Sequence, residues 1–168
     1  MNNDNNINMR PLSMADYEQV LKWSKDEAFC HANQWEINRD PSEIYQWWLK
    51  CVNHATENFV RMGITFKGML IGYTDLANIN NGTAELGIAI GESTLWGKGI
   101  GATAALRTLQ FASTQLGLTT FEAETHETNI RSRRMLEKIG FEEISRIGFE
   151  EYLGVNSLLI QYRLIYKN

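Results

Sequence analysis

The chain is short of several features that would mark it as secreted, membrane-spanning or nucleic-acid-binding. It has two cysteines and two prolines in 168 residues. Cys30 and Cys51 are too few for a disulfide framework and lack metal-ligand spacing, so no metal is expected and a reducing cytoplasm is the expected setting. Residues 1–6 carry no Lys or Arg and no apolar run, so a secretory leader is not expected. Residues 1–5 read as a frayed tail. No stretch approaches the ~18 consecutive apolar residues that would cross a bilayer, so no membrane role is expected. Positive charge is not in excess: 16 Lys+Arg stand against 20 Asp+Glu, a net charge of -4, which argues against nucleic acid as a partner.

What is present is the composition of one ordinary globular domain. Hydrophobic residues make up 43% and charged residues 21%, enough to build a core without staples. No repeat or linker interrupts the chain, so residues 6–168 are read as a single domain. Ile7–Arg10 reads as a first strand, stopped by Pro11. Ser13 and Asp16 form a capping-box pattern opening a helix to about Asp26. Asp40-Pro41-Ser42-Glu43 opens a second, Trp-bearing helix through about Val52. Residues 59–66 and 69–77, joined by Lys67-Gly68, then residues 83–90 after Asn80-Asn81-Gly82, read as three antiparallel strands. A helix from Gly99 to Leu116, a strand from Thr119 to Thr125 and a helix from Asn129 to Ile139 follow. Residues 141–151 and 158–165 read as closing strands. The expected fold is α/β (α+β), with a βαβ unit at residues 83–125.

The most informative stretch joins the strand 83–90 to the helix after it. Gly97, Gly99 and Gly101 alternate there, with Lys98 among them. Glycines at a helix N-terminus bring backbone N–H groups close to a guest, and the helix end carries partial positive charge. The natural guest is therefore a phosphate or pyrophosphate. A P-loop is excluded, because five residues rather than four separate Gly91 from Gly97-Lys98, and Gly99 stands where a hydroxyl is required. A dinucleotide fingerprint is nearer: Gly99-x-Gly101-x-x-Ala104 fits, with Glu122 about twenty residues on. Six residues nevertheless separate Ile90 from Gly97, where the fingerprint follows its strand at once. A tight connection that binds nothing is the bland alternative.

Two motifs in order give a third reading. Trp96-Gly97-Lys98-Gly99-Ile100-Gly101 is similar to the pyrophosphate loop of the GNAT acyltransferase superfamily, with Trp96 departing from the usual first residue. Asn129, Ser132, Leu136, Glu137, Lys138, Gly140 and Phe141 follow that family's second motif. The Trp-Gly-Lys-Gly variant resembles most the branch of ribosomal-protein N-terminal acetyltransferases. The resemblance implies a GNAT-like fold, with a mixed sheet of about seven strands, a splayed central pair and about four helices. It also implies acetyl-CoA as cosubstrate, held by Trp96 to Ala102, by the backbone of Ile88, Ala89 and Ile90, and by Asn129. The cationic run Arg131, Arg133, Arg134 and Lys138 would meet the phosphates, with Arg133 or Arg134 favoured over Arg131.

The implied reaction is direct transfer of an acetyl group to a primary amine in a ternary complex. A base must take a proton from the amine. Glu85 is the first candidate, followed by Glu92, Glu124 and His126. The departing thiolate needs a proton or a hydrogen bond. The family's usual Tyr is Leu136 here, so Ser132, one helical turn earlier, or water takes its place. The acceptor would be a small amine or a protein N-terminus, walled by the helical region bearing Trp23, Trp35, Trp47 and Trp48. A homodimer is compatible with this reading. A non-catalytic acyl-CoA sensor on the same fold and an NAD(P)-binding oxidoreductase are the alternatives.

Overall fold

The computed structural model describes residues 3–54 and 56–167. Local signals in the sequence set its elements. After a 3-10 turn at Asn3–Asn6, β1 (Ile7–Arg10) leads to Ser13, whose side chain accepts from the Ala15 N–H. Asp16 reaches back to the Ser13 N–H, completing the capping box. α1 (Tyr17–Trp23) is followed by α2 (Glu27–Asn33) and α3 (Pro41–Asn53), the last with Pro at its start and Asp40 as cap. The helix expected to run to Asp26 stops at Trp23, because Asp26 takes extended backbone and caps α2 instead.

β2 (Val60–Phe66), β3 (Met69–Asn80) and β4 (Thr83–Ile90) form an antiparallel meander. The turn between β3 and β4 places both Asn81 and Gly82 at positive φ, as a two-residue hairpin with strand twist requires. β4 passes through α4 (Ile100–Leu116) to β5 (Thr120–His126), which lies parallel to it. α5 (Ile130–Lys138), β6 (Glu142–Ser145), β7 (Phe149–Tyr152) and β8 (Val155–Ile165) complete the chain. The sheet order is β1-β2-β3-β4-β5-β8-β6, with β7 paired to β8. β4–β5 is the one parallel pair among the described strands. This topology overturns the dinucleotide-fold alternative, which needs a mostly parallel, doubly wound sheet.

The count is eight strands and five α-helices rather than about seven and four. Two causes account for it. α2 is a separate helix, and the expected strand over 141–151 breaks between β6 and β7. At the break, the Gln161 side chain accepts from the Ile147 N–H at 3.0 Å and donates to its carbonyl at 2.8 Å. The side-chain amide thus substitutes for a strand partner.

Both faces of the sheet are covered, as alternation along β4 requires. Ala84 and Leu86 pack with Ala105, Leu109 and Ala112 of α4, and with Leu136 of α5. Ile88 and Ile90 join Ile100 and Ala104 of the same helix. On the opposite face Ala89 packs with Trp23, Phe29 and Trp48. Trp48 is fully buried while its neighbour Trp47 is only partly so, as adjacent helical positions dictate. The C-terminal end of β4 is seated on this aromatic layer. A Cβ added at Gly91 would lie 2.1 Å from the Trp23 ring, so only glycine permits the approach.

Candidate active site

The site arises where β4 and β5 part. They pair only from Thr83–Thr120 to Glu85–Glu122. Beyond that point β4 continues to Ile90 beside β3, and β5 continues to His126 beside β8. The facing edges from Leu86 and Ala123 onward therefore carry backbone groups without a strand partner, in a V-shaped cleft.

A cavity of about 360 Å³ lies at the wide end, lined by Ile88, Ala89 and Ile90 of β4, by the glycine loop and by α5. Gly97 and Gly99 both have positive φ, and a Cβ on either would meet nothing within 4 Å, so the loop backbone is open to a guest. Gly99 is the N-cap of α4 and supplies no side-chain cap. The first helical hydrogen bond there runs from the Thr103 N–H to the Gly99 carbonyl, at 3.1 Å. The N–H groups of Ile100, Gly101 and Ala102 thus precede the intrahelical ladder and face a 17-residue helix dipole. Arg131, Arg134 and Lys138 line the cavity, and no carboxylate does. This donor set fits a diphosphate.

Trp96 fixes the loop. Its indole Nε1 donates to the Ile90 carbonyl at 3.0 Å, and the Arg131 guanidinium lies 3.9 Å over its ring. Asn129 lines the cavity, but its side-chain oxygen is engaged as N-cap of α5, accepting from the Ser132 N–H at 3.2 Å. Asp26 ties α2 to the same loop. Its carboxylate accepts from the Phe29 N–H, and from both the N–H and the hydroxyl of Ser93. Burial opposes its ionisation, yet these donors outweigh that and hold its pKa below the ordinary value.

A second cavity, of about 280 Å³, fills the splay itself, with Leu86, Gly87 and Ile88 on one wall and Ala123 to His126 on the other. Its charged groups are Glu124 and Glu150, with His126 between them in the cleft. Glu124 accepts from Gln161 at 2.8 Å. The His126 Nε2 is buried without a hydrogen-bond partner among the described residues, and Glu150 stands 3.7 Å from it. Gln34 bridges the end of α2 to β7, donating to the Glu150 carboxylate and the Glu151 carbonyl, each at 2.9 Å. Asp75, across from Gly87 on β3, is taken by a two-pronged pair with Arg61 at 2.6 and 2.8 Å. Burial pushes the adjacent Tyr73 phenol up to about 12, so it stays protonated beside them.

The structure brings most of the expected residues together and separates four, Glu85, Glu92, Lys98 and Arg133. Ile88, Ala89, Ile90, Trp96, Gly97, Gly99, Ile100, Gly101, Ala102, Asn129, Ser132 and Arg134 line the first cavity. Lys98 is exposed and does not line it. Arg133 is turned the other way, donating to the Glu127 carbonyl at 3.0 Å and the Tyr162 hydroxyl at 3.3 Å. Arg131, ranked below it, is the one that lines the cavity. Glu85 lines neither cavity, because it sits where β4 and β5 are still paired. Glu92 also lies outside both, whereas Glu124 and His126 line the splay. Ser132 lines both cavities, and among the described residues its hydroxyl has no hydrogen bond. Glu150 and Tyr152 are the site residues that sequence reasoning missed. They reach the cleft only because β7 folds back along β8.

No helix of the described residues is long and apolar enough to cross a membrane, and no three of their His, Cys, Asp or Glu side chains gather as metal ligands. Among solved structures, the chain is similar to a spermidine N-acetyltransferase from Vibrio cholerae in complex with CoA and spermine. The TM-score is 0.78 at 20% identity, covering 96% of both chains. It is also similar to the microcin C7 self-immunity acetyltransferase MccE in complex with acetyl-CoA and AMP. There the TM-score is 0.80 at 18% identity, covering 96% of this chain and 93% of that one. These likenesses show the fold. Among curated proteins it is 27% identical over 147 residues to an uncharacterized protein of Methanocaldococcus jannaschii, covering 85% of this chain and 29% of that protein. It is 36% identical over 88 residues to alpha/beta-tubulin-N-acetyltransferase 9 of Homo sapiens, covering 49% of this chain and 42% of that protein. The chain thus spans less than half the length of these curated relatives. The model of the acetyltransferase (GNAT) domain matches residues 6–142, and with its two motifs on the two walls of a splayed β4–β5 cleft, the chain belongs to that family.

Proposed function

We propose that this chain transfers an acetyl group from acetyl-CoA to a primary amine, by direct attack of the amine on the thioester in a ternary complex. The observation that carries the reading is the polarity of the cleft. A cavity with three cationic side chains and uncapped helix N–H groups opens onto a cavity with two carboxylates and an imidazole, and the two share the wall bearing Ser132. The first end suits the diphosphate of a coenzyme, and the second suits a cationic amine. Bound coenzyme would supply the activated acetyl group. The loop N–H groups, Arg131 and Arg134 would hold its phosphates, and the unpaired edges of β4 and β5 would hold its pantetheine amides. Trp96 and Arg131 would fix the loop against α5. Glu124, His126 and Glu150 are the proton acceptors available to the amine, and the Ser132 hydroxyl is placed to donate a hydrogen bond to sulfur.

The acceptor class follows from the same polarity: a polyamine or other small cationic amine, or a protein N-terminus. An amine panel that includes spermidine, simple diamines and N-terminal peptides tests it, with release of coenzyme A thiol as the readout. Turnover with at least one of these is expected. Tight acetyl-CoA binding with no thiol release across the panel would overturn catalysis in favour of a sensor.

A further inference from the structure

The two cavities meet at a wall formed by Ala32, Ile88, Asn129, Ser132, Met135 and Tyr152. A thioester delivered through the first cavity and an amine entering through the second would come together there. Ser132 and Tyr152 are the members of that wall with a side-chain O–H. We infer that Tyr152 is a catalytic residue, the acid that protonates the coenzyme sulfur as the acetyl group departs. The inference rests on the acetyl-transfer reading above.

Acidity separates the two hydroxyls. A thiol ordinarily ionises near ~8.5 and a phenol near ~10, so proton transfer between them is close to balanced. An aliphatic hydroxyl is a far weaker acid and can offer sulfur only a hydrogen bond. Ser132 and Tyr152 therefore have complementary parts, one orienting the sulfur and the other releasing a proton to it. The geometry around Tyr152 is that of a fixed group. It is the last residue of β7, paired with Val155 across the turn at Leu153 and Gly154, both at positive φ. The residue is 6% exposed, and its ring lies flat on His126, with centroids 4.3 Å apart and an angle of 8° between the planes. The preceding carbonyl, of Glu151, is held by Gln34. Among the described residues the Tyr152 hydroxyl makes no hydrogen bond to protein, so its proton is not committed elsewhere. The titratable groups around the shared wall are His126 and Glu124 from β5, Glu150 from β7, and Arg131, Arg134 and Lys138 from α5.

The neutral amine nitrogen bonds to the acetyl carbon, and the carbon–sulfur bond breaks with its electron pair left on sulfur. Tyr152 gives its proton to that sulfur. The surplus proton on nitrogen passes to water through the splay, and water reprotonates the tyrosinate. The products are the N-acetyl amine and the coenzyme thiol.

Tyr152→Phe keeps the ring on His126 and removes only the acid. Loss of about 10²-fold in kcat is expected, with the KM for acetyl-CoA within about twofold of the parent. The alkaline limb of the kcat–pH profile should disappear, because that limb reports the acid losing its proton. Ser132→Ala should lower kcat but retain the limb. A tyrosine fluorinated beside the hydroxyl, placed at 152, is a more acidic phenol and should move the limb to lower pH. That result does not depend on the Phe variant folding. The inference is overturned if Tyr152→Phe keeps kcat within about twofold, or if fluorination leaves the limb where it was. Failure of the parent to turn over any amine would instead overturn the acetyl-transfer reading beneath it.

Discussion

Arg131 and Arg133 stand two positions apart on α5, and a helix turns such a pair to opposite sides. Arg131 covers Trp96 and lines the coenzyme cavity, while Arg133 supports the loop end at Glu127 and the hydroxyl of buried Tyr162. Their alanine variants should separate accordingly. Arg131→Ala should raise the KM for acetyl-CoA about tenfold, the equivalent of one charge-assisted contact worth about 1.4 kcal/mol, and leave the Tm unchanged. Arg133→Ala should leave that KM within about twofold but lower the Tm by about 4 °C, for roughly 1.5 kcal/mol of lost hydrogen bonding. Steady-state kinetics and thermal denaturation of both variants check the pair, and a reversed pattern would show that the two arginines are misassigned. The cationic helix was legible in the sequence, but which arginine faces the cavity was not. That choice depends on Tyr162, on a strand that the helix meets only in the folded chain. Gly99 is a similar case from the opposite direction. Its alternation with Gly97 marked the loop, and its φ of 80° shows why. Gly99→Ala should destabilise by about 1 kcal/mol for the left-handed backbone and weaken acetyl-CoA binding. Gly101→Ala, inside the helix and meeting only the flexible Met135 sulfur at 3.3 Å, should be tolerated.

At the level of elements, those that announce themselves by their own residues are legible in the sequence, and those defined by a distant partner are not. The β1 and β4 boundaries, the capping box at Ser13 and the hairpin turns at Lys67-Gly68 and Asn81-Gly82 all rest on neighbours in sequence. The break between β6 and β7 rests on Gln161, and α2 rests on Asp26, whose carboxylate reaches forward to Ser93. Asp26 couples the α2 layer to the loop before α4, which gives the site a pH dependence of stability with a definite sign. Its folded pKa lies below the unfolded value, so the folded chain binds this proton less readily than the unfolded chain. The contribution is full above about pH 4 and is lost as pH falls through the folded pKa. Asp26→Asn retains a capping oxygen but cannot carry the charge. The Tm difference between parent and variant should therefore be largest near pH 7 and shrink below about pH 4. A difference that stays constant across that range would show that the charge contributes nothing to the tie.

Across the whole molecule, a net charge of -4 conceals a division of sign along one cleft. The cations Arg131, Arg134 and Lys138 gather at the end built by the glycine loop and α5, and the carboxylates Glu124 and Glu150 at the end built by β5 and β7. The V between β4 and β5 sets both ends in line, because the strands that part are each held on their outer side, β4 by β3 and β5 by β8. Such a layout makes salt a diagnostic of which end does what. Screening shortens from a Debye length of ~10 Å at 0.1 M to ~3 Å at 1 M, so attraction at both mouths fades over that range. The KM for acetyl-CoA and the KM for a cationic acceptor should both rise with salt, and a polyamine should respond more steeply than a monoamine. The double variant Glu124→Gln with Glu150→Gln then separates the two mouths. Salt dependence of the acceptor KM should flatten, while that of acetyl-CoA stays as in the parent. Equal flattening of both would mean that the carboxylates act through the general field of the protein rather than at an acceptor entrance, and the assignment of the splay as the amine's route would fall with it.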